Sequence, residues 1–477
     1  MKKFLSKYNF KYLRTLVYMM QASEYNVNDF FEWYSKVPNF RKVESRKQLV
    51  KTLKVQILLC SLAVIMAFGL AIVWVQGDLL SLVIFVVLLP HVLPYLLAGL
   101  VYILGAVQKP IERAIVGKAK AKLAIHKGLK IGIAGSFGKT TMKEILRTVL
   151  SETRKVAATP ENKNTPLGIA RFIEKLEGDE EILIFEMGEY YPKDVEELCD
   201  LVDPGIGIIT GVNEAHLDKF RSLERTAATI FELADFLHKK GHTKLYVNGE
   251  SRLAKEKAAH FDHILYGSNG IESGEGNWKA EGAETGLAGT GFVLKNNKGD
   301  GIVINSKLLG LHQVGPLSVA AHLAKNLGLK TEDIELGIRK TESFEHRLSP
   351  REESGGITVI DDSYNGNPDG VWAAINFLKE IKNKRRFYIT PGLVEMGQKS
   401  EEIHKRIGHE LAGAGIEKVV LVKNSVTSFI EVGLKEANFA GEIIWFNNAL
   451  EAFASLPHRT ISNDLLLYQN DWPDNYQ

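Results

Sequence analysis

The distribution of hydrophobic positions divides the chain into two regimes. No charged residue occurs from Val55 to Gly77 or from Leu79 to Gln108, and only Asp78 separates these runs. A bilayer core of ~30 Å is crossed by about 20 apolar helical residues, so each run is long enough to span one. Together they predict a helical hairpin over 55–108 with a short turn at Gln76-Gly77-Asp78. The competing interpretation is a buried core hairpin of a soluble domain, but uncharged runs of this length are rare there. Pro90 and Pro94 lie inside the second run and either kink it or make it re-entrant. A cleaved signal peptide is not expected, because the apolar run starts far from the first residue.

Beyond residue 130 the pattern changes to short apolar strands alternating with helical periodicity. Ile131–Ala134, EILIFEMG (181–188) and GIGIIT (205–210) read as strands, each followed by a helix. Residues 279–306 alternate with glycines and predict added antiparallel strands, and NGIESGEGN (269–277) reads as an exposed loop. After 348, ITVIDD, RRFYIT, KVVLVK, EIIWF and DLLLY alternate with helices in a doubly wound, Rossmann-like pattern. The fold class is α/β. Four parts follow: a juxtamembrane segment (1–54), a transmembrane hairpin (55–108), a phosphate-loop domain (109–348) and a smaller α/β domain (349–477).

Charge adds an orientation. The chain has a net charge of +2, but residues 1–54 carry +8 and residues 109–130 carry +6; with Asp78 between them, this leaves residues 131–477 at −11. Both basic blocks flank the hairpin, and its turn has no positive charge, so both ends are expected in the cytoplasm. This implies a multi-pass protein of the cell (inner) membrane with its catalytic domains cytoplasmic. Basic residues interleaved with aromatics over 1–50 also suit RNA. Beside a hairpin, an interfacial helix on the anionic cytoplasmic leaflet is the favoured reading, with no nucleic-acid partner. A plain structural cap is the simplest alternative. Two cysteines, Cys60 and Cys199, exclude a disulfide scaffold and a structural zinc site made of cysteine alone.

The chemistry begins at KIGIAGSFGKTTMKEILRTVL (130–150). A strand runs into Gly135-Ser136-Phe137-Gly138, and a helix opens at Lys139-Thr140-Thr141. Glycines let the backbone wrap phosphate oxygens, and the helix N-terminus favours anions. Lys139 is placed to reach the β- and γ-phosphates and Thr140 to put a hydroxyl on Mg2+. The first glycine of the longer P-loop pattern would fall at Ile133, so that pattern is not met. Glu186 ends a strand on the side where nucleotides bind in such sheets, and His216 follows the next strand. A carboxylate and a histidine there can hold one or two divalent ions, although singly each is usually structural.

GSFGKTT, TPENKNTPLG (159–168), FEMG (185–188), NEAHLDKF (213–220), HRL (346–348) and IDDSYNGNPDG (360–370) occur in that order. This series resembles the Mur ligases over roughly 110–477. The last string is similar to the signature of the UDP-N-acetylmuramoyl-tripeptide–D-alanyl-D-alanine ligase branch, and NDWPDNY (470–476) resembles the endings of membrane-linked members. The resemblance implies ATP and Mg2+ as cofactors and a reaction in which a carboxylate becomes an acyl phosphate that an amine attacks. It also implies roles for named residues. Lys139 and Arg347 would carry positive charge to the phosphates, and Thr140, Glu186 and His216 would hold metal. Asp362 would bind the ribose, with Tyr364 and Asn365 lining the nucleotide cleft. His312 and Gln313 would lie on the adenine side. Asn162 and Thr165 match positions that face the acceptor substrate.

Three departures stand out. The lysine that becomes carbamylated in many members corresponds to Ile230. The His-Asn-x-x-Asn adenine motif appears as His312-Gln313-Val314-Gly315-Pro316. The N-terminal domain that holds the UDP-sugar has no counterpart before the phosphate loop, which suggests a lipid-linked precursor or another way of binding the soluble one. The leading expectation is a membrane-anchored, ATP-dependent, ADP-forming amide ligase of peptidoglycan precursor synthesis. Its partners would be a cell-wall precursor and an amino acid or dipeptide such as D-Ala-D-Ala. The alternatives are a ligase of another amide polymer, of the poly-γ-glutamate type, and a non-catalytic nucleotide-binding scaffold.

Overall fold

The computed structural model describes residues 2–43, 49–77, 79–160, 163–214, 220, 222–242, 244–274, 276–364 and 366–471. They divide into two compact units at the step from Ala114 to Ile115.

In the first unit, helices Lys2–Ser6, Tyr12–Ala22 and Val27–Lys36 and a short 3₁₀ turn, Phe40–Lys42, precede two long helices, Leu53–Gln76 and Leu79–Ala124. The 46-residue helix continues past the predicted end of the apolar run, with Pro90, Pro94 and Pro110 inside it. Residues 1–54 do not form one interfacial helix. Their short helices instead enclose Leu16, Met19, Met20, Phe30 and Phe40, and this core packs on Val55, Leu58, Leu62, Leu93 and Leu97 of the hairpin. Part of the segment's apolar surface is thus used against the hairpin base, while Phe4, Leu5 and Phe10 stay exposed. Tyr8 donates from its hydroxyl to the Val87 carbonyl at 3.0 Å, close to the proline-interrupted stretch. The distal hairpin is different, with Trp74 at 78%, Val75 at 84% and Leu79 at 74% exposure.

The second unit holds two α/β domains. The first has ten strands: β1 (Leu129–Ala134), β2 (Val156–Ala158), β3 (Ile182–Glu186), β4 (Ile206–Ile209), β5 (Leu245–Asn248), β6 (Ile264–Gly267), β7 (Gly270–Glu272), β8 (Trp278–Gly286), β9 (Gly289–Asn296) and β10 (Gly301–Ser306). They lie in the order β10-β9-β8-β7-β6-β5-β4-β1-β3-β2. β2 to β6 and β1 pair in parallel, and β6 to β10 are antiparallel neighbours. The stretch 269–277 is thus not simply an exposed loop. Ile271 is core, and Gly270, at φ 103°, lies so close to the Trp278 carbonyl that a Cβ would clash. The pattern missed this strand because it is only three residues long.

β1 sits between β3 and β4, with the crossover from β3 to β4 passing to its other side. Its loop therefore emerges at the sheet's switch point, where open α/β sheets bind ligands. The helix Lys139–Leu150 buries Met142, Ile145, Leu146 and Val149, one stripe at helical spacing, and this holds its N-terminus against the sheet edge.

The second α/β domain has β11 (Ser349–Glu353), β12 (Ile357–Asp362), β13 (Arg385–Thr390), β14 (Lys418–Val422), β15 (Glu442–Phe446) and β16 (Asp464–Gln469), in the order β11-β12-β16-β13-β14-β15. Only β11 is antiparallel to its neighbour. The last strand therefore inserts between the first two parallel ones.

A buried hydrogen bond ties the chain entering β1 to the turn before β3: His126 Nε2 lies 3.0 Å from Glu180 Oε2. Burial alone would raise the Glu180 carboxyl. The His126 bond and the backbone amides of Glu177 and Gly178 outweigh it and hold the group at about 2. A carboxylate depressed on folding stabilises the fold above its unfolded value and loses that contribution as pH falls. Acid titration followed by circular dichroism is therefore expected to show stability falling between about pH 4.5 and 2. In Glu180→Gln that window should flatten.

Candidate functional site

The phosphate loop follows β1 as the strand–turn–helix pattern predicts. Gly135 has φ 145° and Gly138 φ 72°, and a Cβ on Gly135 would lie 2.2 Å from Thr210 Oγ1. Both positions therefore call for glycine. Thr210, just beyond β4, donates its hydroxyl to the Ala134 and Phe137 carbonyls and so braces the loop from the neighbouring strand. Ser136 Oγ is buried with no hydrogen-bond partner among the described residues.

A cleft of about 310 Å³ opens between the two α/β domains. It brings together Phe137, Gly138, Thr141, His312, Gln313, Arg347, Asp362 and Tyr364, which lie far apart in the chain. Gly135, Ser136, Lys139, Thr140 and Glu186 do not line it and belong to the loop and strand end beyond. Asn162, His216 and Asn365 lie outside the described residues. Thr165 is an exposed helix cap, whose Oγ1 accepts from the Gly168 amide at 3.3 Å.

In the cleft lining, Gln313 Nε2 donates to His312 Nε2 at 2.8 Å, which places the imidazole proton on Nδ1. That Nδ1 and Gln313 Oε1 are both buried with no hydrogen-bond partner among the described residues. Burial pushes the His312 pKa down to about 4, so the ring is neutral at physiological pH. The pair thus presents one donor and one acceptor, the complement of a purine edge. Gln313 keeps the amide chemistry that the family motif would supply with asparagine.

Arg347 lies between two residues in the left-handed region, His346 at φ 62° and Leu348 at φ 43°. Such non-glycine conformations cost about 1–3 kcal/mol each and persist only when their surroundings hold them. Here Asp362 Oδ1 accepts from the Leu348 amide at 3.1 Å, Asp361 Oδ2 lies 2.8 Å from His346 Nδ1, and the Tyr364 amide donates to the His346 carbonyl at 3.2 Å. The Arg347 guanidinium lies over the Tyr364 ring at 5.0 Å. Burial raises the Asp362 carboxyl to about 6, even though Gln469, the Leu348 amide and Arg347 oppose the shift. Across the cleft, Asn213 Nδ2 donates to Asn367 Oδ1 at 2.9 Å and to Asp369 Oδ2 at 2.7 Å, linking the two domains.

Residues that the sequence reading missed surround Glu186. Lys143 is fully buried, with Nζ 3.3 Å from Glu186 Oε2 and 3.5 Å from Glu144 Oε1. The Asn164 side-chain amide is 3.4 Å from Glu186 Oε1. Lys139 pairs with Glu189 at 2.8 Å. The available signals were spacing: Lys143 is one turn after Lys139, and Glu189 is three residues after Glu186.

Glu186 and the Thr140 hydroxyl offer the oxygen donors that a hard cation such as Mg2+ takes. A second ion held by a carbamylated lysine does not fit, because Ile230 is fully buried in a wholly apolar cluster. No three His, Cys, Asp or Glu side chains converge as a metal site among the described residues.

The fold and the cleft define a two-domain α/β protein built around a phosphate-binding loop. Residues 133–324 match the Mur ligase middle domain, and residues 346–468 match the Mur ligase, glutamate ligase domain. The chain belongs to the Mur ligase family. It is similar to the UDP-N-acetylmuramoyl-tripeptide–D-alanyl-D-alanine ligase of Mycobacterium leprae, with 29% identity over 332 residues, covering 65% of this chain and 64% of that one. Its similarity to the ligase of the same description from Synechocystis is 26% over 294 residues, covering 62% of each. The chain thus spans a little under two thirds of the length of these relatives. Among solved structures, the MurF ligase of Thermotoga maritima in complex with ADP superposes with a TM-score of 0.65 at 21% identity, covering 76% of this chain and 80% of that one. A pseudomurein peptide ligase type C of Methanothermus fervidus does so at 0.54 and 16%, covering 74% and 78%. These likenesses concern the fold.

Proposed function

We propose that the chain is an ATP-dependent, ADP-forming amide ligase of peptidoglycan precursor synthesis that works at the membrane. One observation carries this reading. The phosphate loop and the His312–Gln313 pair, whose Nδ1 and Oε1 have no hydrogen-bond partner among the described residues, line one cleft together with the strained linker at Arg347. That is the layout for a purine nucleotide whose terminal phosphate meets a second substrate. The names of the relatives support a muramoyl-tripeptide acceptor and D-Ala-D-Ala as the amine.

In this reading a carboxylate oxygen of the acceptor attacks the γ-phosphorus and ADP leaves. The amine then attacks the acyl carbon, phosphate leaves, and the amine gives up a proton. Carboxylate is a poor electrophile, and phosphate provides the leaving group it lacks. Phosphoryl transfer depends mainly on positioning and on compensating charge. Lys139 and Arg347 supply positive charge, the loop amides hold the phosphate oxygens, and Asp362 accepts from the ribose. Thr140 and Glu186 would hold Mg2+, which would neutralise polyphosphate charge. Closure of the two domains around the cleft excludes water, which would otherwise hydrolyse an acyl phosphate.

The hairpin supports the membrane part of the reading. By length and composition both helices suffice to cross a bilayer, with mean hydropathies of 2.6 and 2.3. Their exposed faces carry Val64, Phe68, Val83 and Val86, with no charged residue from Val55 to Gly77. The flanking basic blocks favour the cytoplasmic leaflet of the inner membrane.

The decisive assay is ADP release by full-length, detergent-purified protein with Mg-ATP. It is run with UDP-linked or lipid-linked tripeptide acceptor, with and without D-Ala-D-Ala. Release that requires both acceptor and dipeptide is expected. Nucleotide binding without release for any pair would overturn the ligase in favour of a scaffold, the reading to which the apolar Ile230 points. The protein is also expected in the membrane fraction, resistant to carbonate and extracted by detergent; recovery in the soluble fraction would remove the anchor.

A further inference from the structure

The N-terminal segment sets a polar cluster against the apolar hairpin. Lys7 Nζ lies 3.2 Å from His91 Nδ1. An ammonium has only donors, so Nδ1 accepts and the imidazole is neutral, with its proton on Nε2. That Nε2 faces the Tyr8 hydroxyl oxygen at 3.4 Å, and the hydroxyl donates to the Val87 carbonyl at 3.0 Å. The relay ends on helix backbone. It holds the Lys7 ammonium in place and does nothing to compensate its charge.

A second cation is fixed nearby. Lys3 Nζ donates to the Tyr34 carbonyl at 3.1 Å and to the Ser35 carbonyl. The Lys3 and Lys7 ammonium groups lie 5.8 and 5.3 Å from the centre of the Tyr34 ring. Two like charges thus share one ring, and among the described residues neither has a carboxylate partner. An aromatic ring is a weak counter-charge, and the two cations repel each other at this spacing.

The level of the cluster on the hairpin makes this imbalance costly. At roughly 1.5 Å per residue, His91 is about 18 Å along its helix from Leu79, well inside the uncharged run that ends at Gln108. Ionisable side chains at such a level are expensive, and they mark functional sites where nothing in the chain pairs them. Apolar side chains border the cations. The Phe4 ring lies 5.1 Å from the His91 ring and is 47% exposed, and Leu5 and Phe10 are exposed as well. Inorganic phosphate would answer the charge and leave these side chains uncovered. A phosphate carried on hydrocarbon chains answers both, and a terminal phosphate holds about 1.5 to 2 negative charges at pH 7, enough for two lysines.

We propose that Lys3 and Lys7, braced by Tyr34 and His91, form a binding site for the terminal phosphate of a membrane lipid, with Phe4 against its chains. The proposal rests on the membrane reading of the hairpin and is independent of the nucleotide site. Carbonate fractionation tests that reading separately, so its failure is not confused with failure of the lipid site.

The measurement is equilibrium binding of a chain-labelled fluorescent phosphatidate to full-length protein in an uncharged detergent, with unlabelled competitors. Saturable binding is expected. Phosphatidate should displace the probe about tenfold better than phosphatidylglycerol, whose headgroup carries one charge, and inorganic phosphate at equal concentration should not displace it. Lys7→Gln is expected to weaken binding by about tenfold, the scale of one hydrogen bond to a charged group, with an unchanged unfolding midpoint. Lys7→Arg should keep most of the affinity. Lys11→Gln removes an exposed charge four residues further on and should leave binding unchanged. Absence of saturable binding by membrane-extracted wild type overturns the proposal. So does equal displacement by phosphatidylglycerol, which would show only general attraction to anionic lipid, or displacement by inorganic phosphate. Equal weakening by Lys7→Gln and Lys11→Gln overturns it too, because surface charge would then explain the binding.

Discussion

Replacing Lys143 by methionine is expected to destabilise the phosphate-loop domain by about 3–5 kcal/mol, the cost of leaving one partner of a buried pair uncompensated. Lys143 is fully buried on the helix that opens at the loop, and its Nζ lies 3.3 Å from Glu186. After the substitution Glu186, itself 3% exposed, keeps only the Asn164 amide at 3.4 Å among its neighbours named here. One long, neutral hydrogen bond does not offset a buried carboxylate. The methionine stem fills most of the volume, so the effect reports charge more than packing. The check is a urea or thermal unfolding midpoint for Lys143→Met, Glu186→Gln and the double variant. The double variant should recover most of the loss, because it removes both charges. A midpoint unchanged in Lys143→Met would show that Glu186 does not depend on that lysine.

The second large effect is on turnover. Lys139→Ala is expected to lower ATP-dependent amide formation by about a thousandfold or more, the scale of removing one preorganised positive group from the transferring phosphates. The loss exceeds that of a simple charge deletion, because Glu189 then faces the phosphates without its lysine. Pairing the change with Glu189→Ala should therefore restore part of the nucleotide affinity while turnover stays low. Circular dichroism is expected to show the fold retained. Turnover that persists in Lys139→Ala would remove the phosphate-loop assignment.

Much of this was legible in the chain, for local reasons. Two uncharged runs of bilayer length, separated by one aspartate, state their helices outright. The loop is readable because Gly135 and Gly138 stand where a strand must turn directly into a helix N-terminus, and the structure gives both a positive φ. The alternation of strands and helices after residue 130 carries the fold class. Ile230 could be set against the family's lysine by counting along the chain, and it is found in the apolar core. Less legible were features whose signal is short or whose meaning lies in a partner. The three-residue strand Gly270–Glu272 is hidden by its glycines. Thr165 caps a helix, which the family resemblance alone did not indicate. The basic, aromatic N-terminal segment reads as one interfacial helix, and only the packing shows several short helices with part of their apolar surface set against the hairpin.

The sequence by itself determined the α/β class, the phosphate loop and the apolar hairpin, because each is written in residues within a few turns of one another. Tertiary structure alone decided which charges meet. Lys139 finds Glu189 fifty residues away, and Asn213 finds Asn367 and Asp369 more than 150 residues away. The last strand, β16, lies between β12 and β13. Periodicity specifies what a strand or helix is, but its neighbour is chosen by how all the apolar faces pack at once. The ion pairs that set the chemistry of this site follow from that choice.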